Sequence, residues 1–149
     1  MTSINIEVPE RESCAFCDYL SGARPYTVLE RTDTVAALVT REQRGVGDVL
    51  VVPTAHRETI LDLTVDEASA IMIEVIRVAR AIDQTYKRPG IAIWQNNGLP
   101  AHQAIPHVHF HVAGTLEGGG TDWGHVSELT VEQTDDAAEQ LRANLPALT

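Results

Sequence analysis

The segment His107-Val108-His109-Phe110-His111 constrains the fold of this chain more than any other feature. In a strand, successive side chains point to opposite faces of the sheet. The three imidazoles would therefore share one face, while Val108, Phe110 and Val112 would point to the other and pack in a core. We predict a strand from Ile105 to Ala113 that holds a row of imidazoles on a rigid element.

The remaining elements follow from periodicity and from capping residues. A good N-cap at Thr64 opens a helix with apolar residues at helical spacing, which should run to about Tyr86. Thr130 opens a final helix that runs through about Leu145, and Ala15 to Leu20 can form one or two helical turns. Further strands are predicted at Tyr26–Glu30, Val35–Val39, Val49–Val52 and Ile91–Trp94. This order predicts an α+β fold, with an antiparallel or mixed sheet and helices on one side.

Length and charge limit the classes of function. The chain of 149 residues fits one domain, residues 1–149, with residues 1–12 as a loose polar N-terminal arm. Its net charge of -10 argues against binding to a nucleic acid polymer, which requires clustered basic residues. No apolar run approaches the ~20 residues that span a membrane, and the N-terminus lacks the apolar core of a signal peptide. We expect a cytoplasmic protein with no membrane partner.

The imidazole row has three interpretations. The histidines could simply lie on the surface of a half-exposed strand. Imidazoles two positions apart on a strand could share a zinc ion. A neutral imidazole could also attack phosphorus, while its neighbours hydrogen-bond the phosphate oxygens as negative charge develops.

Several segments together resemble the histidine triad (HIT) family of nucleotide hydrolases and transferases. His107 to His111, followed by Val112 and Ala113, resembles the family signature, and Cys14 to Gly22 resembles its usual opening. Gly47 to His56 is similar to its strand-and-histidine segment, and Asn96-Asn97-Gly98 and Gln103 fall where the family approaches its nucleotide. The resemblance covers about residues 14–115.

The resemblance implies a HIT-like fold, an antiparallel sheet of about five strands with a long helix packed on it and a C-terminal helix. It implies that His109 attacks the α-phosphorus to form a nucleotidyl-histidine that water hydrolyses, and that His111 contacts the phosphate. Asn96 and Gln103 would hydrogen-bond phosphate or leaving-group atoms, although Asn96 is also a typical turn residue. The family further implies a homodimer whose subunits join their sheets.

The pair Cys14 and Cys17 could be redox-active or could form half of a zinc site. A redox motif expects a preceding strand, whereas only a polar arm precedes this pair. His56 and His107 can supply the other two ligands, and bacterial members of the family with this opening bind zinc in that way. A closed four-ligand zinc would be structural, because it leaves no open position for water.

Three positions depart from the common pattern of the family. Thr40 lies where many members carry an acidic residue that binds both ribose hydroxyls, Asp48 where many carry a histidine, and Ala104 where many carry Ser or Thr. These changes put ribose recognition and the reaction rate in question. Residues 117–149 correspond to the variable C-terminal region, in which Trp123 is either a pocket lid or, more simply, a partly buried packing residue.

The predicted function is hydrolysis or transfer at the α-phosphate of nucleoside phosphoramidates or related nucleotidyl compounds. The alternatives are a dinucleoside polyphosphate hydrolase, a histidine-metal hydrolase, and, in another class, a nucleotide-binding regulatory protein with weak catalysis.

Overall fold

The fold is built on a five-stranded sheet in which every neighbouring pair is antiparallel. The computed structural model describes residues 5–147. The strands are β1 (Thr27–Arg31), β2 (Val35–Val39), β3 (Val46–Pro53), β4 (Ile91–Trp94) and β5 (Phe110–Gly114). Their spatial order is β1-β2-β3-β5-β4, which places β5 between β3 and the edge strand β4. The predicted α+β fold with a five-stranded antiparallel sheet is confirmed.

Within residues 5–147, three α-helices accompany the sheet, α1 (Ala15–Ser21), α2 (Val65–Tyr86) and α3 (Val131–Arg142). Thr64 caps α2 by accepting from the backbone N–H of Glu67 at 3.1 Å. The carboxylate of Glu67 pairs with Arg57 at 2.8 Å, and this contact first, with hydrogen bonds from Thr64 contributing, lowers the pKa of Glu67. In α3, Thr130 and Gln133 form a reciprocal capping box. The two long helices therefore begin where the sequence predicts.

The two faces of the sheet bury different sets of side chains. One face packs against α2 and α3, where Val51 and Val112 of the sheet join Ile71, Val78 and Leu141 in one core. The opposite face packs against α1 in a smaller core, of which the buried members are Phe16, Ala36, Leu38, Leu50 and Val52. The prediction of helices on one side is thus correct for the long helices and wrong for α1.

The histidine segment keeps its predicted alternation but is a shorter strand than predicted. Pairing begins only at Phe110, because the preceding backbone is hydrogen-bonded elsewhere: Val108 donates to the carbonyl of Arg57 at 2.8 Å. His111 pairs in register with Leu50 of the smaller core, and Val112 pairs with Val49 of the larger one. The imidazoles therefore face the side of the sheet that carries α1.

A buried charge cluster ties β1 to α2. Arg77 donates to both Glu30 and Glu74, the latter at 3.0 Å, and its Nε donates to the carbonyl of Pro146 at 2.9 Å. Burial first, and the neighbouring Glu30 second, raise the pKa of Glu74 to about 7. One guanidinium thus forms ion pairs with two carboxylates in the folded state.

The N-terminal segment and the edge of the sheet complete the architecture. The expected loose arm covered residues 1–12, of which residues 1–4 lie outside the described part. Within residues 5–12, the carbonyl of Glu7 accepts from Leu99 at 2.7 Å and Pro9 is buried, so this segment is fastened to the loop after β4. Among residues 5–147, no helix combines the length and apolar character that crossing a membrane requires.

Candidate active site and metal centre

Two cysteines and two histidines from distant parts of the chain lie together beside α1. Sγ of Cys14 is 3.3 Å from Nδ1 of His107, and Sγ of Cys17 is 3.5 Å from Nδ1 of His56. All four candidate ligand atoms lie within 4.8 Å of one another. Tetrahedral zinc, with ordinary Zn–S and Zn–N bond lengths, separates sulfur and nitrogen ligands by about 3.5 Å. The spacing therefore fits one tetrahedral metal ion.

The hydrogen bonds of these residues also suit a metal centre. Nε2 of the fully buried His107 lies 2.9 Å from the carbonyl of Pro53, so this nitrogen carries the proton and Nδ1 presents a lone pair to the sulfurs. Burial lowers the pKa of His107 to about 4, which keeps it in the neutral form that binds metals. Burial and the adjacent Cys14 raise the pKa of the Cys17 thiol to about 12, and a bound cation would act in the opposite direction.

His109 is held by the backbone rather than by another side chain. Its Nδ1 lies 2.8 Å from the carbonyl of His107, and a carbonyl can only accept. The proton is therefore on Nδ1, and Nε2 carries the lone pair. Burial lowers the pKa of His109 to about 4, and its ring packs 5.0 Å from that of Phe16. The result is a neutral imidazole with a fixed tautomer.

His111 is held on two sides. Its Nδ1 lies 3.2 Å from Oδ1 of Asp48, a fully buried carboxylate on β3. Its ring stacks on Trp94 of β4, with centroids 4.4 Å apart and planes within 6°. The ring centroids of His111 and His109 are 5.5 Å apart, so the two imidazoles can act on one small group. Burial raises the pKa of Asp48, while the hydrogen bond and charge of His111 act to lower it.

His109 and His111 line a cleft of about 450 Å³, hereafter the cleft. Its other lining residues are mainly aromatic and charged, with two uncharged polar side chains, Thr40 and Asn96. The aromatic and charged ones include Arg11, Phe16, Tyr19, Tyr26, Arg41, Glu42, Arg44, Trp94, Trp123 and Glu128. Tyr19 and Tyr26 stack with centroids 3.8 Å apart. Trp123 is 66% exposed and lies 5.8 Å from Trp94, so it borders the cleft and is not the partly buried packing residue that the sequence favours.

The predicted substrate-binding residues divide into two groups. Asn96 lines the cleft, as does Thr40, whose hydroxyl accepts from the backbone N–H of Glu42 at 3.2 Å. Gln103 is buried and is hydrogen-bonded to backbone: its oxygen accepts from Gly98, and its nitrogen donates to the carbonyls of Glu58 and Ile105. This corrects the expected direct contact between Gln103 and substrate, because its amide instead holds the loop after β4 in place.

The cationic side chains of the cleft differ in their partners. Arg41 pairs with Glu128 at 3.2 Å, and Arg44 pairs with Glu42 at 3.3 Å. Arg11 donates to the carbonyl of Ala104 at 3.1 Å and, within residues 5–147, has no carboxylate at salt-bridge distance. Two arginines of the cleft, Arg41 and Arg44, are thus paired with carboxylates of the protein, whereas the charge of Arg11 is not paired with a carboxylate within residues 5–147.

Sequence reasoning missed three features of this site. The contact between Asp48 and His111 joins residues 63 positions apart, and the only sign of it was a lone carboxylate at the start of an apolar strand. The stacking of Trp94 on His111 follows from the pairing of β4 with β5, which places these two residues opposite each other. Arg11 comes from a segment that the sequence presents only as a polar arm.

Comparison with known proteins places this geometry in a family. Residues 21–118 match the model of the HIT domain. "Protein hit" of Bacillus subtilis is 28% identical over 138 residues, which cover 90% of this chain and 95% of that protein. Adenosine 5'-monophosphoramidase hnt1 of Schizosaccharomyces pombe is 33% identical over 101 residues, which cover 67% of this chain and 72% of that protein.

A solved structure shares the fold at low sequence identity. The Zn-bound histidine triad family protein from Mycobacterium smegmatis superposes with a TM-score of 0.76 at 24% identity, covering 89% of this chain and 93% of that one. The fold, the order of the motifs and the family match agree with one another. The chain therefore belongs to the HIT domain family.

Proposed function

We propose that this protein is a nucleotide hydrolase or transferase that cleaves at the α-phosphate of nucleoside phosphoramidates, with His109 as the nucleophile. The observation that carries the proposal is the hydrogen bond from Nδ1 of His109 to the carbonyl of His107, at 2.8 Å. It leaves the Nε2 lone pair on a residue that lines the cleft, beside a second imidazole. The named activity of the relative from Schizosaccharomyces pombe supports a phosphoramidate substrate.

The reaction has two steps. In the first, Nε2 of His109 forms a bond to the α-phosphorus while the bond from phosphorus to the leaving amine breaks. In the second, water attacks the phosphorus, the P–N bond to His109 breaks, and the nucleotide leaves with the imidazole restored. His111 lies where it can hydrogen-bond a phosphate oxygen as negative charge develops, and the Asn96 side chain can bind the phosphate or the leaving group.

We propose a structural zinc ion bound by Cys14, Cys17, His56 and His107. The thiolate and imidazole donors and their spacing suit zinc, and the relative from Mycobacterium smegmatis is described as Zn-bound. With all four positions filled by protein, such an ion would contribute folding energy and rigidity.

A homodimer is the assembly that the surface supports best. The edge strand β4 exposes Ile91 and Ile93, and α2 exposes Met72, Ile73 and Ile76. An edge strand that itself exposes apolar side chains suits pairing with a second copy, which would extend the sheet across both subunits.

The proposed nucleophile can be tested by trapping the intermediate. Wild-type protein mixed briefly with adenosine 5'-phosphoramidate and quenched should carry an adenylate on the peptide that contains His109, detectable by mass spectrometry. His109→Ala should lose the adduct and turnover while keeping its fold and metal content. His125→Ala, which changes an exposed histidine outside the cleft, is the matched control and should behave as wild type.

The same measurement separates the alternatives. Faster turnover of dinucleoside polyphosphates than of phosphoramidates, through the same adduct, would favour the polyphosphate hydrolase. Nucleotide binding without adduct or turnover would contradict the enzyme and favour a regulatory protein.

A further inference from the structure

A buried carboxylate next to a catalytic imidazole needs a physical explanation. Asp48 is completely buried, yet the rest of β3 is made of Val, Gly, Leu and Pro residues. Removing a carboxylate from water is costly unless a charged or hydrogen-bonding partner compensates. The partners here are the backbone N–H of Arg44, at 3.3 Å from Oδ2, and the imidazole of His111.

The contact determines which nitrogen of His111 is available. Because an ionised carboxylate only accepts, Nδ1 of His111 carries the proton that it directs to Asp48. Nε2 has no hydrogen-bond partner among residues 5–147, and His111 lines the cleft. Stacking on Trp94 fixes the plane of the ring, and the contact with Asp48 fixes its orientation within that plane, so Nε2 remains the nitrogen available to a substrate.

Protonated His111 would have both its charge and its proton placed for use. Asp48 would carry the counter-charge within the protein, and the indole face of Trp94 also favours a cation. Ala104, which lines the cleft, has no group that could offer a proton. The leaving nitrogen of a phosphoramidate nevertheless needs a proton to depart as a neutral amine.

We propose that Asp48 is a positioning residue which makes His111 the proton donor to the leaving group, an inference that rests on the proposed function. As the P–N bond of the substrate breaks, Nε2 of His111 gives its proton to the departing amine, and the imidazole becomes neutral. The Nδ1–H group remains hydrogen-bonded to the carboxylate of Asp48. When water attacks the nucleotidyl-His109, Nε2 takes a proton from that water. Each turnover therefore ends with His111 protonated again.

Leaving-group dependence tests this role. Two substrates with the same nucleotide are compared: adenosine 5'-phosphoramidate, whose amine must be protonated, and the 4-nitrophenyl ester of AMP, whose phenolate leaves without a proton. Asp48→Asn, which keeps the shape and removes the charge, should lower kcat/KM for the phosphoramidate by about a hundredfold or more, in the range of general acid catalysis. The loss for the nitrophenyl ester should stay below about threefold.

Gln43→Ala is the matched control. Gln43 hydrogen-bonds the backbone of Asp48, at 2.9 Å from both its N–H and its carbonyl, and the carbonyl of Thr40 at 2.7 Å, so this change disturbs the same loop without touching the carboxylate of Asp48. Gln43→Ala should change kcat/KM for both substrates by the same factor. Equal losses on both substrates in Asp48→Asn would overturn the proposal, whereas a wild type that turns over neither substrate would instead count against the proposed function.

A measurement on the wild type does not depend on how the variant folds. Nitrogen-15 NMR of the histidine side chains, with His111→Gln used for assignment, should show Nδ1 of His111 protonated and hydrogen-bonded at neutral pH. A spectrum in which Nδ1 bears the lone pair would refute the role of Asp48 even if Asp48→Asn failed to fold.

Discussion

The cluster of Glu30, Glu74 and Arg77 predicts a specific pH dependence of stability. The pKa of Glu74 rises from its ordinary 4.5 to about 7 because of burial and the neighbouring Glu30. The folded state thus binds this proton more tightly than the unfolded state does. The resulting stabilisation is fully present below about pH 4.5 and is lost as the pH rises through about 7.

The magnitude follows from the two pKa values. Between pH 5 and pH 8 the contribution of Glu74 to the free energy of unfolding should fall by roughly 2 to 3 kcal/mol. Glu74→Gln keeps a hydrogen-bonding side chain of the same shape but does not titrate. The difference in stability between wild type and Glu74→Gln should therefore shift by that amount, in favour of the variant at high pH.

Urea unfolding of both proteins at pH 5, 6, 7 and 8 measures this shift. Effects of the histidines and of metal binding are common to both proteins and cancel in the difference. Glu139→Gln, at an exposed position of α3, is the control, and its difference from wild type should not vary with pH. If the difference between wild type and Glu74→Gln stays constant within about half a kcal/mol, the cluster is ionised in some other way and the reasoning fails.

Three further predictions concern the metal, the substrate and the assembly. Protein purified without chelators should hold about one zinc per chain by metal analysis, and Cys14→Ala or Cys17→Ala should lose it; zinc-free wild type would contradict the site. Wild type should discriminate weakly between ribo- and 2′-deoxyribonucleotide substrates. Thr40→Asp should raise the ratio of kcat/KM for the ribo substrate to that for the deoxy substrate about tenfold or more, since a charge-assisted hydrogen bond contributes roughly 1.5–3 kcal/mol. A wild-type ratio above about a hundredfold would mean that another group, such as Glu42, holds the ribose. Sedimentation at micromolar concentration should give a dimer, and Ile93→Lys on the exposed edge strand should give a monomer; a monomeric wild type would refute the assembly.

The sequence was informative wherever function depends on spacing along the chain. The alternation around His109 predicts which side chains share a face, and that arrangement does not depend on where strand pairing begins. Contacts between distant segments were harder to foresee. The sequence does not distinguish a buried aspartate at position 48 from an exposed one. Only the pairing of β3 with β5 brings the carboxylate of Asp48 to His111.

Gln103 shows the opposite kind of error. Its position, where the family approaches its nucleotide, was the only basis for expecting a substrate contact. In the folded chain its amide is hydrogen-bonded to three backbone groups, of Gly98, Glu58 and Ile105. Whether an amide faces a ligand or its own backbone depends on the path of a loop, which local patterns do not determine.

The carbonyl of His107 has a consequence for how inhibition would be interpreted. The same residue offers Nδ1 to the proposed metal centre and its carbonyl oxygen to Nδ1 of His109. Withdrawing the metal would release His107, and with it the acceptor that selects the reactive tautomer of His109. A chelator should therefore slow turnover although the ion never touches the substrate, so sensitivity to chelation would not by itself identify a metal-activated water.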